Sequence, residues 1–307
     1  MKLYRQDIVT FLFTFTRKHW KDMRAYNKVF EALQKEQEKI NIVECFQILR
    51  ALSDVDLQKE DIEEFALGKF MDSRAFTSQN LSSGRLVQLL RIGAKMQYQR
   101  HDLFNKKVHE LFESDNPDQK NLIGRITKLS NPNISQNIVR NLIELEYHTN
   151  PKVREVIEEK IKQIAQIDTK FIDENAFVSL KTHGFSLGEQ KDKEVTEKIR
   201  SKDEQKKQRS SKRSEMLKEA FHKKLGEEAF EQLYFANANS LISADIYIPS
   251  RNVAIMITDR NNTYYSQVDP NVNYIRRERY LAKDLPAGVK IYPLNIYELH
   301  NLETEAK

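Results

Sequence analysis

Two acidic residues bracket a pair of strand-like segments in the stretch SADIYIPSRNVAIMITDRNN, residues 243–262. Asp245 enters the first segment and Asp259 leaves the second. Carboxylates at strand ends bind hard cations, and a metal-dependent nuclease core begins in this way. The acid and the lysine that such a core needs on its second strand are replaced by Met256 and Thr258, which neither bind a hard cation nor carry positive charge. The pattern predicts a degenerate nuclease site with no catalytic residues and no metal.

Other chemical patterns are missing from the sequence. The seven histidines have no zinc-ligand spacing, and the single cysteine, Cys45, lies in the apolar run INIVECFQIL. We predict that Cys45 is a small buried side chain in a reducing compartment. The sequence has no Walker loop, no G-x-S-x-G and no G-x-G-x-x-G motif, so no cofactor is predicted. It also has no run of 18 apolar residues, and no membrane span is predicted.

Basic residues are concentrated in two segments, although the formal net charge is only +5. Residues 1–40 hold nine basic and five acidic side chains, and residues 189–213 hold ten and six. Basic segments of this kind neutralise phosphates, and Lys206, Lys207 and Arg209 are candidate RNA contacts. The alternative is a solvated linker and a surface helix.

Residues 1–188 are predicted to form an α-helical repeat-like region, because apolar side chains recur at helical spacing in segment after segment from about residue 3 to residue 185. Tyr26, Val29, Phe30 and Leu33 share one predicted helix face. The first segment, MKLYRQDIVTFLFTFTRKHWK, fits either an organellar targeting sequence or a first core helix. FQILRAL at 46–52 is similar to VQLLRIG 41 residues later, which favours a helical repeat over an irregular bundle only slightly.

Capping signals mark the ends of the predicted helices. Asn150 is predicted to be an N-cap, with Pro151 at the first helical position. Beyond this all-α region, residues 189–213 have almost no large apolar side chains, and they are predicted to be a charged linker or an exposed helix.

The C-terminal residues 214–307 change in character. A leading helix over SEMLKEAFHKKLGEEAFEQLYF precedes the strands ADIYI and NVAIMIT, of which the second is predicted to be central. VNYIRRERYLAKDL is predicted to be a helix, GVKIYPLN a third strand and IYELHNLE a closing helix. The expected fold class is therefore mainly α, with an α-helical repeat-like array before a small α/β domain.

In this region the sequence resembles a RAP domain, from about Ser243 to Leu302. DIYIPSRNVAIMITD followed by YIRRERYLAKDLPAGVKIYPLNIYEL has the order of that module: a strand, a hydrophobic strand ending in Asp, an Arg-rich helix, a G-V strand and a last helix. The chain departs from the pattern at Arg260, where the module often has Gly, and at Tyr297, where it often has Trp.

The resemblance implies a restriction-endonuclease-like fold after helical repeats, as in the FAST kinase-like family, and RNA binding in mitochondria or plastids, of which we expect the mitochondrial matrix. On that basis we expect a non-catalytic factor for RNA maturation or stability, or a component of a mitochondrial ribosome. Alternatives are a protein-binding subunit of a large mitochondrial assembly and a divergent endoribonuclease in which Asp259 or Glu278 completes the metal site. The candidate RNA contacts of the module are Arg276, Arg277, Arg279, Tyr274, Tyr280 and Arg260.

Overall fold

The computed structural model describes residues 5–17, 23–54, 57, 59–73, 82–96, 102–113, 126–127, 129, 131–209, 223, 231–236, 240–258 and 272–295. The chain divides into two compact units between His183 and Gly184. The helices of the first unit are α1 Arg5–Arg17, α2 Met23–Lys35, α3 Ile42–Asp54, α4 Glu60–Met71, α5 Ser83–Lys95, α6 Asp102–Glu113, α7 Pro132–Glu144, α8 Pro151–Ala165 and α9 Glu174–Thr182. The elements of the second are α10 Glu189–Arg209, β1 Glu231–Tyr234, β2 Ala244–Ile248, β3 Val253–Thr258, α11 Val272–Asp284 and β4 Lys290–Asn295.

The helices of the first unit follow the periodicity of the sequence. All four residues predicted on one face of α2, from Tyr26 to Leu33, are buried. Cys45 is buried as predicted, and burial raises the pKa of its thiol to about 11. Helix α1 buries Ile8 and Leu12, as a core helix would. The prediction of a mainly α chain is confirmed.

Helices of the first unit pack in chain order along two series. In the first series α1 contacts α3, α3 contacts α5, α5 contacts α7, and α7 contacts α9. In the second series α2 contacts α4, α4 contacts α6, and α6 contacts α8. Sequence neighbours α3 and α4, and α7 and α8, also pack against each other. Each apolar helix face is thus buried by helices close to it in the chain.

Side-chain amides and ammonium groups satisfy backbone groups at the helix ends. Asn150 accepts hydrogen bonds from the N–H groups of Lys152 at 3.0 Å and Val153 at 3.3 Å, which confirms the predicted cap. The ammonium group of Lys160 is fully buried and donates to the carbonyl of Leu129 at 2.7 Å, so desolvation lowers its pKa. The same carbonyl also accepts the hydroxyl of Ser135 at 3.4 Å, so two side chains hold the chain at Leu129.

Glu63 is a buried carboxyl group in the first turn of α4. Its Oε1 accepts the backbone N–H of Lys59 at 2.7 Å, but burial, reinforced by the nearby Glu60 and Asp61, raises its pKa to about 7 from 4.5. The folded state therefore holds this proton more tightly than the unfolded chain does. The resulting stabilisation is fully present below about pH 4.5 and is lost as the pH rises through 7.

We predict that Glu63→Gln removes this pH dependence and makes the protein more stable at pH 8, by up to about 3 kcal/mol. Glutamine keeps an oxygen for the Lys59 N–H group but has no charge to bury. Urea unfolding at pH 5 and pH 8 measures the effect, and Glu64→Gln at the exposed neighbouring position is the matched control. Equal pH dependence in the wild type and the Glu63 variant would contradict the prediction.

The second unit contains a four-stranded sheet in the order β1-β2-β3-β4. The pairs β1–β2 and β2–β3 are antiparallel, and β4 runs parallel to β3 after the connection through α11. β3 is central as predicted, with four of its six residues buried. Pro293 lies in β4 at the edge of this sheet, where a missing N–H group is tolerated.

The sequence assigned residues 231–234 to the leading helix, and this assignment was wrong. The segment is strand β1, and it pairs with β2 in a register that places Glu231 opposite Tyr247. Pairing with a neighbouring strand overrides the local helix pattern because strand formation depends on tertiary context. The predicted closing helix over 296–303 lies outside the described residues.

The charged segment after Gly184 forms the helix α10 through Arg209, and it belongs to the second unit. Its first half is not an exposed linker, because Val195 and Ile199 are buried. Near the start of the helix, the carboxylate of Asp192 accepts the N–H group of Leu187 at 3.0 Å. Within the described part of the chain, no helix is long and apolar enough to cross a membrane.

Candidate functional site

The candidate site lies where β2 and β3 pass beneath helix α11. The β2–β3 register places Ile246 opposite Ile255, so Asp245 stands opposite Met256. Met256 is fully buried and packs in one cluster with Tyr274 and Leu281 of α11. The sheet face that would carry a second metal ligand is therefore part of the hydrophobic core.

Three donors surround the carboxylate of Asp245. Arg277 donates from Nη2 to Oδ1 at 2.9 Å and from Nη1 to Oδ2 at 3.1 Å, and the backbone N–H of Ile257 donates to Oδ2 at 2.7 Å. The same Nη2 donates to the carbonyl oxygen of Ser243 at 2.7 Å. The forked geometry pairs a planar guanidinium with a planar carboxylate, which is the strongest form of ion pair between side chains.

The ion pair is partly shielded from water, with 23% of the Asp245 side chain and 28% of the Arg277 side chain exposed. Asp245 lies one residue beyond the backbone pair Ile246 with Ile255. Its carboxylate therefore accepts a hydrogen bond at the end of the β2–β3 pairing. Asp245 thus acts as an acceptor for a strand N–H group and anchors α11 to the sheet through Arg277.

Met256 and Thr258, the other described residues of the degenerate site, add no carboxylate ligand. Thr258 is buried, and its hydroxyl donates to the carbonyl of Leu294 in β4 at 3.3 Å. Asp259 lies outside the described residues. Among the described residues, no group of three or more His, Cys, Asp and Glu side chains is arranged to hold a metal ion.

Three of the predicted RNA contacts on α11 lie in a different environment from the one expected. Tyr274 and Tyr280 are 2% and 4% exposed, so neither ring can stack on a base. Burial raises the pKa of the Tyr274 hydroxyl above its ordinary value. Arg277 was expected to contact phosphate, but its guanidinium is engaged by Asp245 and Ser243.

The remaining arginines of α11 lie on a separate stripe. Arg276 and Arg279 are partly exposed, and Lys283 follows at the next helical turn on the same side. The spacing i, i+3, i+7 brings three cationic side chains together along one line of the helix. Arg276 and Arg279 are the predicted RNA contacts on α11 that stay partly exposed, and Lys283 adds a cation that was not predicted.

The second candidate cluster lies on α10. Lys206, Lys207 and Arg209 fall in the last turns of that helix, but their side chains lie outside the described part of the structure, as does all of Arg260. From residue 198 to 209 the helix has six basic and two acidic residues. Arg200 ties its middle to the second unit by donating from Nη2 to the carbonyl of Ser240 at 3.0 Å, with its guanidinium 5.1 Å from the ring of Phe235.

The sequence contained a signal for the role of Arg277 that the analysis of motifs missed. Tyr274, Arg277 and Leu281 are spaced at i, i+3 and i+7, so they share one helix face. Tyr274 and Leu281 are buried, which places Arg277 at the edge of the apolar face. An arginine within an apolar stripe requires a carboxylate partner. Asp245, the acid at the start of the first predicted strand, was a candidate for that partner.

No family model matches the chain, and no curated protein matches it either.

Proposed function

We propose that this protein is a non-catalytic RNA-binding protein that acts in mitochondrial RNA maturation or stability, or as a component of a mitochondrial ribosome. The absence of catalysis in this proposal is supported by the carboxylate of Asp245, whose oxygens already have partners within the protein. Its oxygens hold the guanidinium of Arg277 and a strand N–H group, opposite a methionine in the core. A cation at this carboxylate would have to displace the protein's own positive charge.

The order of elements in the second unit supports the RAP-like assignment. β2, β3, α11 and β4 follow one another in the order that the resemblance implies for residues 243–302, and β1 is an additional strand outside that order. In the first unit, the packing of odd-numbered helices in chain order supports a repeat-like array before the module. Localisation in the mitochondrial matrix rests on the RAP resemblance of residues 243–302.

RNA affinity in this proposal comes mainly from phosphate contacts. The stripe of Arg276, Arg279 and Lys283 on α11, and the second half of α10 with six basic and two acidic residues from 198 to 209, are the basic segments that support this. Cations of this kind neutralise phosphates and make affinity depend on salt, without base specificity.

A protein-binding subunit of a large assembly is the second candidate. The burial of Tyr274 and Tyr280 favours it, because neither of the two tyrosines predicted to contact RNA can then stack on a base. Residues 240–307 also carry eight basic and eight acidic side chains, so the module itself has no charge excess. In this alternative the basic stripes would face acidic protein surfaces.

We predict that Arg276→Gln with Arg279→Gln weakens binding to single-stranded RNA uniformly across sequences and lowers the log–log salt slope by about 1.4, for two phosphate contacts. Fluorescence anisotropy of labelled oligonucleotides of several sequences, at four salt concentrations, measures both quantities. The control Arg154→Gln with Lys162→Gln removes the same charge from α8 in the first unit, where both side chains are exposed.

The control should match the wild type in affinity and in salt slope. A wild-type chain that binds no RNA while capturing acidic protein partners would replace the proposal by the second candidate. An unchanged salt slope in the Arg276 and Arg279 variant would remove α11 from the RNA-binding surface.

A further inference from the structure

The exposed faces of three packed helices in the first unit repeat the same side-chain chemistry. On α3, α5 and α7 the outward positions fall at i, i+4, i+7 and i+11, which form one line along a helix. The second of these positions is a carboxamide in every helix, and the third is an arginine in every helix. The carboxamides are Gln47, Gln88 and Asn137, and the arginines are Arg50, Arg91 and Arg140.

Side-chain contacts show that the rows on α3 and α5 lie side by side. Both arginines share one carboxylate, with Arg50 Nε 3.8 Å from Oδ2 of Asp54 and Arg91 Nη2 3.6 Å from Oδ1 of the same residue. At the next turn of α5, the Lys95 ammonium donates to the carbonyl oxygen of Ser53 at 2.7 Å. Three cations therefore converge on the end of α3.

Both arginines at this point stay accessible to solvent. They share the carboxylate of Asp54, while the ammonium group of Lys95 donates to the carbonyl oxygen of Ser53. About half of each arginine side chain is exposed, 47% for Arg50 and 51% for Arg91. A guanidinium of this exposure can keep one edge on a shared carboxylate and present the other donors to an anion.

The carboxamides lie one turn before the arginines and face outward. Gln47 and Gln88 are exposed, and no hydrogen bond to another group in the described part of the chain engages either amide. An amide group offers a donor and an acceptor side by side, the pattern that pairs with the edge of a base. The surface thus combines anion-binding groups with groups able to recognise bases.

The row of exposed carboxamide and arginine side chains does not continue onto α7. Arg140 is only 17% exposed and lies between Glu144 at 3.8 Å and Asp173 at 3.6 Å, so two carboxylates neutralise it. Asn137 donates its amide to the carbonyl of Asn133 at 2.8 Å. The groups that remain open to a ligand are those of α3 and α5.

We propose that α3 and α5 form a binding surface for single-stranded RNA, in which each helix supplies one arginine to the phosphate backbone and one glutamine to a base edge. The inference rests on the proposed RNA-binding function and adds a second, base-reading surface in the first unit. Arginine alone would also suit an acidic peptide, but paired rows of amides and guanidinium groups on neighbouring helices match a polymer that repeats a base and a phosphate. Helical-repeat proteins read single-stranded RNA with two or three side chains per repeat in this manner.

Two variants of the full-length chain separate the two roles. Arg50→Gln with Arg91→Gln should weaken RNA binding roughly tenfold and lower the salt slope by about 1.4, because two phosphate contacts are lost. Gln47→Ala with Gln88→Ala should leave the salt slope unchanged and reduce the spread of affinities between poly(A), poly(U) and poly(C) oligonucleotides. Anisotropy with these probes measures both effects, and circular dichroism shows that each variant keeps its helical content.

The α8 variant Arg154→Gln with Lys162→Gln is the control, because Arg154 also forms an exposed i,i+4 pair, with Glu158. Wild-type affinity and slope in the Arg50 and Arg91 variant, with RNA binding retained by the wild type, would overturn this inference and leave the proposed function standing. A wild-type chain without RNA binding would overturn both. Binding of polyglutamate as tight as that of RNA, and lost in the arginine variant, would assign the surface to an acidic protein and also overturn the inference.

Discussion

Replacing Arg277 with glutamine is expected to destabilise the second unit by about 2–3 kcal/mol. The substitution leaves the partly buried carboxylate of Asp245 without its charged partner and removes the tie to the carbonyl of Ser243. It also loosens the contact between α11 and the sheet, on which the cluster around Met256 depends. Hydrogen exchange of the β3 peptide, which includes the Ile257 N–H group, measures the free energy of opening of the second unit locally.

The control for this prediction is Arg279→Gln on the same helix, which should change the stability by less than about 0.5 kcal/mol. The double variant Asp245→Asn with Arg277→Gln should be more stable than the sum of the two single effects, because an asparagine oxygen can still accept the Ile257 N–H group and no lone charge remains. Unchanged exchange in the Arg277 variant would mean that the ion pair does not hold α11 to the sheet.

Alanine at Gly93 is expected to destabilise the first unit by about 2 kcal/mol. Gly93 lies in α5, where a β-carbon would overlap the ring of Phe104 in α6, with Cε1 at 2.9 Å. The Phe104 ring is fully buried, so it can yield only by disturbing its own packing. The contact between this ring and the backbone of α5 therefore depends on the missing side chain of Gly93.

Gly68→Ala in α4 is the matched control, since a β-carbon there meets nothing within 4 Å. A helix-interior alanine at an open position should raise the stability by up to about 1 kcal/mol. Urea unfolding followed by far-ultraviolet circular dichroism compares the two variants. Opposite signs are expected, and a Gly93 variant as stable as the wild type would contradict the observed packing.

The helices of the first unit could be predicted from the sequence because their signals are local. The apolar spacing on α2 and the Asn150-Pro151 start of α8 depend on neighbouring residues alone, and both predictions are confirmed. β3 was predictable for the same reason, since an apolar run such as VAIMI is typical of a strand that is covered on both faces.

The features that the sequence did not predict depend on contacts between distant residues. β1 carries a helical pattern but pairs with a strand that begins ten residues after it ends, Ala244 following Tyr234. The roles of Arg277 and Tyr280 were assigned from residue type, although partner and burial decide whether an arginine or a tyrosine can contact RNA. The shared carboxylate of Asp54 became visible only when α3 and α5 were seen side by side.

The central claim is that this protein binds RNA without cutting it. The most direct test incubates the full-length chain with end-labelled single-stranded RNA in Mn²⁺ and measures the length of the RNA recovered from the complex. Because Asp245 is held by Arg277 and faces Met256, we predict that the bound RNA stays full-length, in Mg²⁺ as well as in Mn²⁺. Metal-dependent shortening of the RNA that disappears in Asp245→Asn would contradict the account and identify the protein as a nuclease.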